Sequence, residues 1–391
     1  MKIQFRYAMI ACALLTGACA HAPAPAGPVT REPITRTTRE VEANETVASD
    51  VAIKSSVVPE IAAALPNGID LAKFELPVQY NERVQEYIDL YTKRRRTTFA
   101  AWLRRMGRYR EMIESRLADH GLPRELVYLP LIESMYDANA ASPAKAVGLW
   151  QFMSGTARAE GLEVTDYVDE RRDPVASTDA AIRHLGGLYN QFDSWYLAAA
   201  AYNSGSGRIA RLLKQNGFSK GRDEAYWELH DALPRETRHY VPLLLAAIIV
   251  GENPETFGIA VAEAQAAFAF DVVSVPGATD LHAVAKAVGT SYDEIRSLNY
   301  HFVKGMTPPD RRSDVRVPEG SGAGFAEAFA KIPKSERTRE LGRSHVVKGG
   351  ETLSGIAKKY GVSVEAITKV NRIKQANAIG VGRKLVIPAG A

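Results

Sequence analysis

From Leu126 to Met135 the chain reads Leu-Val-Tyr-Leu-Pro-Leu-Ile-Glu-Ser-Met, an apolar run with one carboxylate, Glu133, inside it. The spacing predicts a helix. A carboxylate in apolar surroundings loses hydration, which raises its pKa and lets it keep a proton near neutral pH. A general acid needs that property. The plainer reading of a lone Glu on a helix is a surface position or an ion pair with an arginine, and these ten residues leave both open. Pro130, three residues before Glu133, predicts a kink.

Helical spacing continues on both sides. Upstream, Val84, Tyr87, Ile88 and Tyr91, then Phe99, Trp102, Leu103, Met106, Tyr109, Ile113 and Leu117, recur at three- and four-residue steps. Lys93 to Arg96 interrupt the pattern and read as a solvated face or turn. Gly121-Leu122-Pro123 ends one helix and begins the next. Downstream, helical patterns run to about Val250, with loops near Asn139–Gly148, Gly161–Pro174 and Ser204–Gly207. No alternating stretch predicts a sheet here, so this region reads as all-helical. Ser142 to Met153 is a small-residue loop closing on Trp150, Gln151 and Met153, side chains able to line a groove for an N-acetyl sugar. Tyr202 and Asn203 fall at a helix end before a Gly-rich turn. Taken singly, Trp150 and Met153 read better as core and Tyr202 as a packed ring.

The C-terminal part repeats itself. Leu353, Ala357, Lys358, Gly361, Ser363, Ile367 and Asn371 stand 72 residues after Leu281, Ala285, Lys286, Gly289, Ser291, Ile295 and Asn299. Each copy reads as strand, helix, Gly turn, helix, Asn, loop and strand, giving two βααβ units. A stretch rich in Gly, Ala and charge, 321–343, reads as a linker between them.

Val346-Val347-Lys348-Gly349-Gly350-Glu351-Thr352-Leu353, with Ile356-Ala357, Tyr360-Gly361-Val362, Ile367, Asn371 and Ile387-Pro388, resembles a LysM module at 344–388. The resemblance implies binding to N-acetylglucosamine-containing glycan, hence peptidoglycan. The first copy, 270–320, resembles a degenerate relative that lacks the usual start. Glu133-Ser134, Gly148-Leu149-Trp150-Gln151, Ala201-Tyr202-Asn203-Ser204-Gly205 and Glu236-Thr237-Arg238-His239-Tyr240-Val241, in that order, resemble the soluble-type lytic transglycosylases, a lysozyme-like family. The expected fold is therefore multidomain: an all-α lysozyme-like catalytic domain over 76–262, followed by small α+β LysM-type modules. Carried over by position, the resemblance implies Glu133 as the single catalytic acid. It implies Ser142, Gln151, Met153, Tyr202, Asn203 and Tyr240 as substrate-binding residues. The implied reaction cleaves the β-1,4 bond between N-acetylmuramic acid and N-acetylglucosamine and closes a 1,6-anhydro ring, with no metal or other cofactor. Asp169 to Ser177 resembles a segment of the membrane-bound, D-type members, read as a folding element.

At the N-terminus, Lys2 and Arg6 precede an apolar run and then Leu15-Thr16-Gly17-Ala18-Cys19. This resembles a lipoprotein signal peptide, 1–18, with Cys19 as the lipidated residue; ordinary secretion is the alternative. Ala20 after the cysteine implies the outer membrane. A lipid-anchored periplasmic protein is expected, joined to its catalytic domain by a flexible tether, 19–75, rich in Ala, Pro, Thr and Glu.

The remaining composition removes several classes. A chain of 391 residues predicts two or three domains. Its 46% hydrophobic and 24% charged residues are ordinary for globular protein. Net charge is +4, and nucleic acid is not an expected partner. The LysM-like segment 344–388 carries eight basic residues against two acidic, a surplus that fits either a solvated face or attraction to a polymer bearing peptide carboxylates. Both cysteines, Cys12 and Cys19, precede residue 20, so no disulfide or thiolate metal site is expected downstream. His230, His239 and His301 are too scattered to predict a metal site. Two competing readings are a goose-type lysozyme-like hydrolase of the same bond, with Asp137, Asp166 or Asp193 activating water, and a catalytically inactive peptidoglycan-binding scaffold.

Overall fold

A computed structural model describes residues 65, 68–338, 343–371, 373 and 379–387. Cys19, the segment 1–18 and most of the 19–75 tether lie outside the described residues.

Among the described residues, ten helices build the first domain: α1 (Glu82–Asp89), α2 (Arg96–Met106), α3 (Arg110–Asp119), α4 (Leu129–Ser134), α5 (Ser154–Ala159), α6 (Pro174–Phe192), α7 (Trp195–Ser204), α8 (Ser206–Gln215), α9 (Glu224–Glu228) and α10 (Arg235–Gly251). Their starts follow the local chemistry of helix capping. Asn81 accepts from the Val84 amide, Asp173 from the Val175 and Ala176 amides, and Ser194 from the Leu197 amide. The basic interruption at Lys93 lies in a wider turn, Leu90–Arg94, between α1 and α2.

Helix α10 is the centre of this domain. From Leu244 to Val250 it is an unbroken apolar run, and every one of those side chains is buried. A helix apolar all round must be enclosed by others, and α1, α4 and α7 lie against it. Pro242 interrupts its ladder and leaves the Arg238 carbonyl without a helical donor. The Tyr226 hydroxyl lies 2.9 Å from that oxygen and 2.9 Å from the Thr237 carbonyl, supplying the missing bond.

The run around Glu133 is not one helix. A 3-10 turn, Arg124–Tyr128, leads into the short α4, and Pro130 falls in its first turn. There the proline's missing N–H is harmless, so the expected kink is replaced by a helix start.

Two βααβ units follow, as expected. The first comprises β1 (Phe270–Val275), α11 (Leu281–Val288), α12 (Tyr292–Leu298) and β2 (Ser313–Pro318); β1 and β2 pair antiparallel with Val273 opposite Val315. Next come α13 (Phe325–Lys331) and α14 (Lys334–Arg337). This corrects the expectation of a linker over 321–343: Phe325, Phe329 and Ile332 are buried in the first unit's core. Their three- and four-residue spacing is helical, and the Gly and Ala around them hid it. The second unit comprises β3 (Arg343–Val346), α15 (Leu353–Tyr360), α16 (Val364–Val370) and β4 (Lys384–Ile387), with its own small core.

The repeated asparagines have a physical cause. The Asn299 amide donates to the Ile295 and Arg316 carbonyls while its oxygen accepts from the Arg316 amide. Asn371 does the same with Ile367 and Val386. Each ties the end of a second helix to the second strand. Gly289 and Gly361 end the first helices in the left-handed region, with φ of 70° and 68°.

Candidate active site

Glu133 stands in the last turn of α4, where the chain turns sharply through two left-handed residues, Met135 (φ 57°) and Tyr136 (φ 60°). Such conformations need outside support in non-glycine residues. Arg105 Nε donates to the Met135 carbonyl at 2.7 Å, and the Tyr136 hydroxyl donates to the Val127 carbonyl at 2.5 Å. Ser134, buried beside the acid, donates to the Leu149 carbonyl at 2.8 Å. That bond fixes α4 to the 142–152 loop.

The loop is held by its own backbone. Ser142 N donates to the Ala146 carbonyl, and the Ser142 hydroxyl accepts from the Ala146 amide. Gln151, at φ 49°, returns its side-chain amide to the Gly148 carbonyl at 2.8 Å. Trp150 is fully buried and donates to the Thr178 hydroxyl, so it is core and not groove wall.

A groove of about 680 Å³ runs past the acid. Ser142, Gln151, Asn203 and Tyr240, all expected from the sequence, line it together with Glu133. Met153 does not; it is 37% exposed where α5 begins. Tyr202 lies beneath the loop, its hydroxyl donating to the Trp150 carbonyl at 2.7 Å. Its ring packs against Phe152 and His184.

Tyr240 reaches over from α10 and donates to Glu133 Oε1 at 2.6 Å. Burial raises the Glu133 pKa to about 7; the Tyr240 bond pulls it down, and the Glu236 carboxylate pushes it up. The acid therefore holds a proton over part of the neutral range. Tyr240 and Tyr202 are both raised well above the ordinary phenol, by burial first and then by the Glu133 charge. Both stay protonated at neutral pH and keep an O–H to donate. Asn203 is fixed by Thr237, whose hydroxyl donates to its carbonyl oxygen at 2.9 Å.

Sequence reading missed the opposite wall. Tyr87, Arg95, Trp102 and Arg105, from α1 and α2 and the turn between them, face the groove, as does Glu236 on α10. Tyr87 and Trp102 obey the same helical spacing as true core residues, which conceals a groove-lining role. Among the described residues no group of three or more potential ligands could hold a metal ion.

The Transglycosylase SLT domain family matches residues 111–224. A LysM domain matches 345–388, and a LysM-like domain described for lytic transglycosylase MltD matches 269–334. Membrane-bound lytic murein transglycosylase D of Escherichia coli K12 is 31% identical over 330 residues, covering 82% of this chain and 72% of that protein. The chain belongs to the lytic murein transglycosylase D family. The soluble lytic murein transglycosylase of the same organism is 33% identical over 29% of this chain and 18% of its own. A solved chain, the inactive mutant of lytic transglycosylase Slt from Pseudomonas aeruginosa, is 24% identical over 38% of this chain and 24% of that one, with a TM-score of 0.32. In this member of the transglycosylase D family the SLT match stops before Glu236 and Tyr240 and begins after Tyr87 and Trp102. Part of the groove thus lies outside the matched core.

Proposed function

We propose that this chain is a peptidoglycan lytic transglycosylase, cleaving the β-1,4 bond between N-acetylmuramic acid and N-acetylglucosamine. The observation that carries the reading is Glu133, raised to about 7 and bonded to Tyr240 in an open groove. Most glycosidases need two carboxylates; here one serves both as acid and as base. Protonated Glu133 gives its proton to the glycosidic oxygen, and N-acetylglucosamine leaves as an alcohol. The neighbouring N-acetyl oxygen holds the positive C1. Ionised Glu133 then takes the C6 hydroxyl proton as O6 attacks C1, closing the 1,6-anhydro ring without water. Tyr240 keeps its O–H aimed at the carboxylate and stabilises it in the ionised interval. Ser142, Gln151 and Asn203 bind sugar in the groove, and Tyr202 supports the loop from below.

A hydrolytic reading has one observation in its favour: Asp137 and Glu236 also face the groove. Asp166 does not, being bonded to Lys384, and Asp193 caps the end of α6. Mass spectrometry of purified sacculi after digestion separates the readings. Products one water lighter than hydrolysed muropeptides, absent with Glu133→Gln, are expected; reducing-end products would establish a lysozyme.

Cys19 carries the lipid anchor and the outer membrane is the site of action, a reading supported by the charged, apolar and small-residue order before it. Cys19→Ala should release the protein into the soluble periplasmic fraction, and unchanged fractionation would end that reading. The C-terminal LysM domain holds the enzyme on its polymer.

A further inference from the structure

We propose that the first βααβ unit braces the substrate loop of the catalytic domain, with Arg316 as the positioning residue. The proposal rests on the transglycosylase reading only for its kinetic arm. Three observations carry it.

First, the segment 163–173 is joined to the unit at several points. The Val303 amide donates to the Tyr167 carbonyl at 3.0 Å and the Asp169 amide to the His301 carbonyl at 2.8 Å. Val168 pairs with Phe302 and is buried in the unit's own core. A domain that supplies a core residue to its neighbour is not tethered loosely.

Second, Asp173 closes the join in a dry place. Both its oxygens meet the Arg316 fork, Oδ1 at 2.9 Å and Oδ2 at 2.8 Å, and Asp173 itself is 5% exposed. The same carboxylate caps α6. A two-pronged Arg–carboxylate pair fixes orientation as well as distance.

Third, the other side of the segment holds the loop. Arg171, buried and paired with Asp169, donates to the Lys145 and Phe152 carbonyls at 3.0 and 3.1 Å. Arg172 donates to the Asn139 carbonyl at 2.7 Å. The backbone of Arg171 lies so close to Gly148 that no side chain fits there. Ser142 and Gln151 ride on this loop into the groove. The path from Arg316 to the sugar-binding residues is therefore a continuous set of hydrogen bonds and packed backbone.

The test uses the full chain with Arg316→Ala and the milder Arg316→Lys, which keeps the charge and loses the fork. Hydrogen exchange is read amide by amide, and turnover is read on soluble glycan fragments. Exchange over 140–152 should quicken by about tenfold in Arg316→Ala while the amides of α10 stay protected. KM should rise by about three- to tenfold with kcat nearly kept, and Arg316→Lys should recover part of both changes. Loop exchange and KM equal to the parent in a folded Arg316→Ala would overturn the proposal. So would loss of sacculus binding with the loop unchanged, which would make the unit a glycan reader. Should Arg316→Ala fail to fold, Arg316→Lys decides on the same two readouts. A parent protein without turnover would defeat the transglycosylase reading alone, since loop exchange still tests the brace.

Discussion

The Tyr240 hydroxyl sits 2.6 Å from Glu133 Oε1, although the two residues are 107 positions apart in the chain. The bond joins α10 to the end of α4 and offsets part of the rise that burial imposes on the acid's pKa. Burial favours the neutral carboxyl, and the phenol favours the ionised one.

A pH profile follows with a defined sign. The acid form of Glu133 is required, so kcat/KM should hold below about 7 and fall about tenfold per pH unit above it. Tyr240→Phe removes the bond that lowers the pKa and should move the alkaline limb upward, with kcat reduced by about tenfold or more. Glu236→Gln removes a charge that raises the pKa and should move the limb downward. Limbs that move together would refute this account of the site.

Glu133→Gln should abolish turnover and stabilise the fold. The native carboxyl has a pKa raised from 4.5 to about 7, so it binds more protons folded than unfolded between those values. Its penalty is absent below pH 4.5, grows as pH rises, and is complete above about 7. Each pKa unit corresponds to about 1.4 kcal/mol, so Gln should gain about 3 kcal/mol at about pH 8 and nothing at about pH 4. Denaturant unfolding at the two pH values checks this.

Gly148→Ala should damage the loop. Its φ is +84°, and an added Cβ would overlap the Arg171 carbonyl oxygen. Backbone against backbone cannot yield cheaply, so a loss of about 2–4 kcal/mol is expected. Circular dichroism melts, with kcat/KM measured below the melting range, would show both consequences.

Truncation after Arg343 should leave the catalytic domain's melting temperature nearly unchanged, because the LysM unit has its own core of Val347, Leu353, Ile356, Ala357, Ile367, Leu385 and Ile387. Sacculus pull-down should weaken while turnover of soluble fragments persists. In the intact chain, added salt should weaken pull-down as well, since the unit's basic surplus is screened beyond about 10 Å at about 0.1 M. Salt-independent binding would assign no role to that charge.

Much of this architecture was legible in local pattern. Asn299 and Asn371, Gly289 and Gly361 recur at one offset because each performs a local task, tying a strand or ending a helix. Helical spacing marked α10 and the buried faces of α1 to α3. Trp150 shows the limit of such reading: beside Gln151 in the same loop, it turns inward to Thr178 while its neighbour lines the groove. Adjacent residues of an irregular loop follow no period, so neither direction can be deduced.

By itself, the sequence determined the helical domain, the repeated βααβ units and an acid set in an apolar run. Those depend on spacing within a few residues, which chain geometry converts directly into a face or a turn. Only the tertiary structure decided that Tyr87 and Trp102 complete the groove, that Tyr240 reaches Glu133, and that Arg316 meets Asp173 across 143 positions. Periodicity records that a side chain is to be covered or paired, and it carries no record of which distant partner does so.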